Sequence, residues 1–223
     1  MPFTVGQFFD VFETYNTTVW PVQVIAYVLG IAAVFLAVHD VAVRSRIVSG
    51  ILAASWIWMG IVYQIIHFSR VNPIAELFGI LFILQGLILV LVGSILPKLR
   101  FRFAVKPIPI AGTVFIIYAF AVYPLIGKAF GHTYPRSPVF GVAPCPSTIF
   151  TFGLFLWASR PVPWYVIVIP FLWSLVGVSA AVNLQMPEDY GLGVAGALGA
   201  ALVIARNRSF QKKEEQQRLQ PDK

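Results

Sequence analysis

Seven stretches of the chain are apolar almost without interruption: residues 20–38, 47–68, 74–96, 108–126, 139–158, 164–184 and 190–205. Each is close to the ~20 residues with which an α-helix crosses a hydrocarbon core of about 30 Å. The linkers between them are short, and most carry a proline (Pro73, Pro97, Pro107, Pro161, Pro163, Pro187). The pattern predicts an all-α fold, a polytopic membrane bundle of seven transmembrane helices in a single domain over residues 1–207. Residues 4–15 follow a different rhythm. Phe8, Val11, Phe12 and Tyr15 fall on one face of a helix, with Asp10, Glu13 and Thr14 on another. Thr4 and Gln7 have the spacing of a capping box. This segment reads as a short interfacial helix on the outer side.

Composition agrees with that picture. Of 223 residues, 58% are hydrophobic and 11% charged. The net charge of +7 would point to nucleic acid in a soluble protein. Its placement gives it another meaning. With the N-terminus outside, the sixteen Lys and Arg residues divide thirteen to three in favour of the inner linkers and tail, leaving Arg70, Lys128 and Arg136 outside. That bias is the signature of an N-out, C-in orientation and leaves no call for a nucleic-acid partner. Residues 208–223 form a polar cytoplasmic tail, expected to be solvated and partly disordered. The first sixteen residues lack the basic and apolar regions of a cleavable signal peptide. The glycines of the last span suit close packing against another helix.

The fifth run departs from the others. It contains GVAPCPSTIFTF over residues 141–152, with the only cysteine between two prolines. Proline is favoured at the first turn of a helix, and the residue before it is pushed out of helical dihedrals. The expected helix therefore starts at Pro146 with Cys145 as N-cap and runs to about Ser159. That is about 21 Å, too short to span. The fifth helix is read as broken, with an irregular segment before it dipping in from the outer face.

Polar residues of unusual type collect at the same level: His67, Glu76, Tyr123, His132, Tyr134, Arg136, Cys145, Ser147 and Thr148. Ionisable groups at membrane depth are costly and tend to serve a function. A thiol at the positive end of a helix is favoured as thiolate. With His67, His132 and Glu76 it would make a candidate site for a soft or borderline metal ion, the one cofactor this set suggests. With a histidine base the same thiol would be a nucleophile. Ser147, Thr148, Arg136 and the helix N-terminus would instead receive an anion. A lone cysteine excludes an internal disulfide, and there is no HExxH, GxSxG or phosphate-binding loop. The leading expectation is a protein that binds or transports a small ligand or metal ion through an outward-facing pocket around Cys145. The alternative is an intramembrane enzyme with a Cys/His site acting on a lipid or exported small molecule. The bilayer is the expected partner, and an oligomer is compatible.

The segments PFTVGQFFDVFETYN, GHTYP (131–135), GVAPCPSTIFTFG (141–153) and WSLVGVSAAVNL (173–184) resemble a family of bacterial multi-pass membrane proteins that carries only the label of a domain of unknown function. The resemblance covers nearly the whole chain except the tail. It implies a bacterial inner-membrane protein and brings no assigned activity or site.

Overall fold

The computed structural model describes residues 2–219, and among them the fold is all-α. Thr4 starts the first helix, α1 (Val5–Thr18), with the capping box in place: its hydroxyl accepts from the Gln7 N–H, and the Gln7 side chain accepts from the Thr4 N–H. A turn at Pro21 leads into α2 (Val22–Ala37), whose axis is bent 84° from that of α1. There follow α3 (Ala42–Arg70), with wider, π-type turns over Met59–His67 before a tight last turn, α4 (Ala75–Ile95), which ends in π-type turns, and then α5 (Pro107–Ala129). The short α6 (Pro144–Leu156), α7 (Tyr165–Leu184) and α8 (Tyr190–Leu219) complete the chain. Five helices are long and apolar enough to cross a membrane, or six if α1 and α2 count as one broken span. Many of their outward side chains, such as Phe35, Ile80, Val114 and Leu175, are exposed apolar groups, an apolar belt far larger than a soluble monomer displays.

Two expectations about helix ends are corrected. The helix of the fifth run begins at Pro144, not Pro146. Ala143 is its N-cap and Cys145 its second residue. The first three helical N–H groups have no intrahelical partner in any helix, so proline at both the first and third positions forfeits nothing. At the other end α8 does not stop at residue 205. It continues as one helix through Leu219, so the polar tail of residues 208–219 is helical.

The short α6 is the axis of the bundle. Twelve of its thirteen residues are buried, so it is apolar on every face except for Ser147, Thr148 and Thr151. Neighbouring helices approach it through glycine. A Cβ added at Gly112 of α5 would stand 2.6 Å from the Gly153 carbonyl oxygen, and one at Gly199 of α8 would stand 2.8 Å from the Phe152 ring. From α3, Trp56 donates its indole N–H to Thr151 at 3.1 Å and packs on Phe82 of α4.

The irregular segment ahead of α6 is held by α1. Asn16, fully buried, donates from Nδ2 to the carbonyls of Pro135 (2.6 Å) and Ser137 (2.8 Å). Tyr15 donates to the Val142 carbonyl at 2.9 Å and accepts from the Trp58 indole at 2.8 Å. Gly141, at φ +80°, turns its N–H onto the Ser147 hydroxyl. Non-helical backbone inside an apolar bundle needs such partners, and here they are protein groups. A second apolar cluster, with Phe8, Phe12, Tyr63, Phe68 and Met186, packs α1 against that end of the bundle.

Candidate functional site

Helix α7 ends at Gln185, whose left-handed conformation (φ 57°) reverses the chain. The turn Pro187–Asp189 then carries Glu188 and Asp189 into the start of α8. Acidic residues suit the positive end of a helix. What is unusual is their burial: Glu188 is 0% and Asp189 2% exposed. Glu188 has one polar side-chain partner, and Asp189 has Tyr123 with Cys145 beside it. His132 Nδ1 lies 2.7 Å from a Glu188 carboxylate oxygen, and the Tyr123 hydroxyl donates to Asp189 at 2.5 Å. Among the described residues no lysine or arginine pairs with either acid. The second Glu188 oxygen has no partner.

Cys145 lies against the Asp189 carboxylate and the Trp173 indole. The three line one cavity of about 510 Å³, roofed by Phe3, Phe8 and Phe12 of the N-terminal segment and walled by Tyr63, Phe68 and Phe78. The Trp173 Nε1–H is buried there with the Cys145 sulfur as its polar neighbour. A second cavity of about 440 Å³ is lined by Tyr27, Tyr123, Lys128, His132, Tyr134 and Glu188. The acidic pair thus forms a wall: Asp189 faces the apolar cavity, and Glu188 faces the more polar one.

The nine sequence-derived candidates separate into groups. Cys145 lines the first cavity, and Tyr123 lines the second while donating to Asp189. His132 and Tyr134 line the second cavity. His67 belongs to neither. Its Nδ1 is 2.7 Å from the Val62 carbonyl on its own helix, and its ring packs on Tyr15. Arg136 pairs with Asp10 at 2.7 Å and Glu13 at 3.6 Å, tying the loop to α1. Glu76 is exposed in the first turn of α4 and joins no ion pair among the described residues. Ser147 and Thr148 donate to the carbonyls of Ala143 and Pro144, four residues back in each case. With prolines at its first and third positions, α6 keeps only the Cys145 N–H free among its first three residues, a poor anion cradle.

The structure therefore does not assemble the metal set of Cys145, His67, His132 and Glu76. The described residues contain no cluster of three or more His, Cys, Asp or Glu fit to hold a metal ion. Neither histidine is engaged with the thiol: one bonds Glu188, the other Val62. The Cys145 neighbour is instead an acceptor, Asp189, which suits a protonated S–H. Sequence reasoning missed Glu188, Asp189 and Trp173 as members of the site. The signal present was an adjacent acidic pair immediately before an apolar run.

Long apolar helices around a short buried one suggest a helical membrane protein, and the acidic pair between two cavities is its candidate site. The chain belongs to the family of unknown function DUF6064, which it matches over residues 5–214. No curated protein and no solved structure matches it.

Proposed function

We propose that this is a seven-span protein of a bacterial cell membrane, N-terminus out and C-terminus in, that binds a small organic cation in the aromatic cavity beside Cys145. Helices α2 and α6 are about 24 Å and 20 Å long, and the turn at Pro21 and the segment before Pro144 would complete their spans. The basic bias of the inner linkers and tail supports the orientation.

One observation carries the ligand class: the Asp189 carboxylate is buried, lacks a cationic partner among the described residues, and opens onto a cavity walled by aromatic rings. A buried carboxylate needs a counter-charge or a proton. His132 pairs with Glu188 alone, so Asp189 faces its cavity with a hydroxyl donor from Tyr123 and no counter-charge. Aromatic faces attract organic cations, and a cavity of this size and lining suits a drug-sized ligand.

The test compares a hydrophobic quaternary ammonium probe with its neutral carbon isostere, using calorimetry on the purified full-length protein. The cation should bind, and Asp189→Asn should weaken it tenfold or more. Equal binding of cation and isostere, or an unchanged Asp189→Asn variant, overturns the assignment.

A further inference from the structure

The opposite end of the bundle holds a third cavity with its own unmatched charge. It measures about 600 Å³, and its charged lining is Arg102, Lys106 and Arg206, with no acidic side chain. Arg206 belongs to α8 and is only 8% exposed. Its Nη1 donates to the carbonyl of Leu156, the last residue of α6, at 2.9 Å. That contact caps α6 with a cation, a common structural use of arginine. It leaves the rest of the guanidinium unexplained, because Nε and Nη2 are buried and have no hydrogen-bond partner. No carboxylate pairs with Arg206 among the described residues. The nearby Asp40 is committed to Arg100 and Ser159.

The Nε–Nη2 edge is the side of the guanidinium that takes two oxygens of one phosphate or carboxylate in parallel. A buried cation without an anion is costly, so an edge kept in this state calls for one. The cavity also contains Pro107, Ile108 and Pro109, the first turn of α5. Prolines at the first and third positions leave only the Ile108 N–H free there, so this helix end adds its dipole but no cradle of donors. Arg102 and Lys106 sit exposed on the rim, where their charge steers an anion inward.

We propose that this cavity binds a phosphate group, held side-on by Arg206, with Arg102 and Lys106 at its mouth. The group can belong to an anionic phospholipid or to a free phosphate ion. The same chemistry serves both, and the experiment separates them.

The full-length protein, delipidated in neutral detergent, is titrated with inorganic phosphate at constant ionic strength. In parallel it is titrated with phosphatidic acid against phosphatidylcholine. Tryptophan fluorescence gives the readout, since the Trp157 indole N–H bonds the Pro109 carbonyl in the cavity wall. Saturation by phosphatidic acid alone identifies a lipid headgroup site, and saturation by both probes identifies a site for the phosphate group itself. Arg206→Lys keeps the charge but loses the fork, and should weaken binding about tenfold. The rim variant Arg102→Gln with Lys106→Gln alters exposed residues only and should weaken it by a similar factor, which decides the matter if Arg206→Lys does not fold. Saturation by neither probe, or affinity unchanged in the rim variant, overturns the proposal.

Discussion

Asn16 should be one of the most sensitive polar positions in the protein, because one amide secures a buried non-helical turn. Its Nδ2 group supplies two hydrogen bonds, to the carbonyls of Pro135 and Ser137. Replacing it by alanine removes both and leaves two partly buried acceptors without a donor. A hydrogen bond of this kind is worth about 1 kcal/mol net, so Asn16→Ala should cost ~2 kcal/mol. In a chain of this length each kcal/mol lowers the melting midpoint by about 2–4 °C, which sets the expected drop at roughly 4–8 °C. Asn16→Asp gives the sharper test. It matches asparagine in shape but carries no N–H, so it places carboxylate oxygens against two carbonyl oxygens. Asn16→Asp should therefore melt below Asn16→Ala. The assay is thermal unfolding of the purified full-length protein in a mild detergent, followed by circular dichroism. An aspartate variant as stable as wild type would show that shape, not donation, is what Asn16 provides, and the reasoning would fail.

Two further outcomes follow from the packing and the charges. Gly112→Ala should destabilise by about 1–3 kcal/mol, because its Cβ would stand 2.6 Å from the Gly153 backbone oxygen and force α5 from α6. Gly50→Ala in α3 has nothing within 4 Å and should be neutral or stabilise by up to ~1 kcal/mol, so a reversed order in the same melting assay contradicts the packing argument. Asp40 sits at the turn between α2 and α3; partial burial raises its carboxyl, but hydrogen bonds from Ser159 and Arg100 and the charges of Arg100 and Arg160 outweigh that and hold it below the ordinary 3.8. A lowered folded value contributes stability above the unfolded value and loses it as pH falls through the folded one. The stability gap between wild type and Asp40→Asn should accordingly be constant near neutrality and close below about pH 4; a gap that widens on acidification excludes this role.

The apolar runs made the helices legible, and two local signals were legible in detail. Thr4 and Gln7 form their capping box, and a proline starts α6. What the runs do not encode is rotation about each helix axis. His67, Arg136 and Glu76 were grouped with Cys145 because they share its level along the bundle, and level is what residue counting supplies. Contact depends on azimuth and on which partner lies nearer. His67 is taken by a carbonyl five residues back, where α3 widens into π-type turns. Arg136 is taken by Asp10 and Glu13, more than a hundred residues away in sequence. The choice between Pro144 and Pro146 as helix start was also open locally, since a first turn tolerates proline at either position. In the structure the Val139 carbonyl accepts from the N–H of Ala143 and closes a turn immediately ahead of the earlier start.

The acidic pair was left out of the site for a related reason, and α1 is its cause. Glu188 and Asp189 precede an apolar run, where acids ordinarily sit in water at the positive end of a helix. In this protein Phe8 and Phe12 of α1 roof the cavity into which Asp189 opens, and Phe9 stacks near His132, the partner of Glu188. The same helix supplies Tyr15 and Asn16 to the segment that brings Cys145 against Asp189. A helix read from its amphipathic pattern as resting at an interface thus carries buried side chains that convert two end-of-helix acids into enclosed ones. Removing its aromatic roof by Phe8→Ala with Phe12→Ala should leave the long helices intact but admit water to Asp189, which would then gain hydration in place of a ligand's charge. Cation affinity should fall in that variant even though every polar residue of the site is retained. Undiminished affinity would mean that α1 covers the site without shaping it.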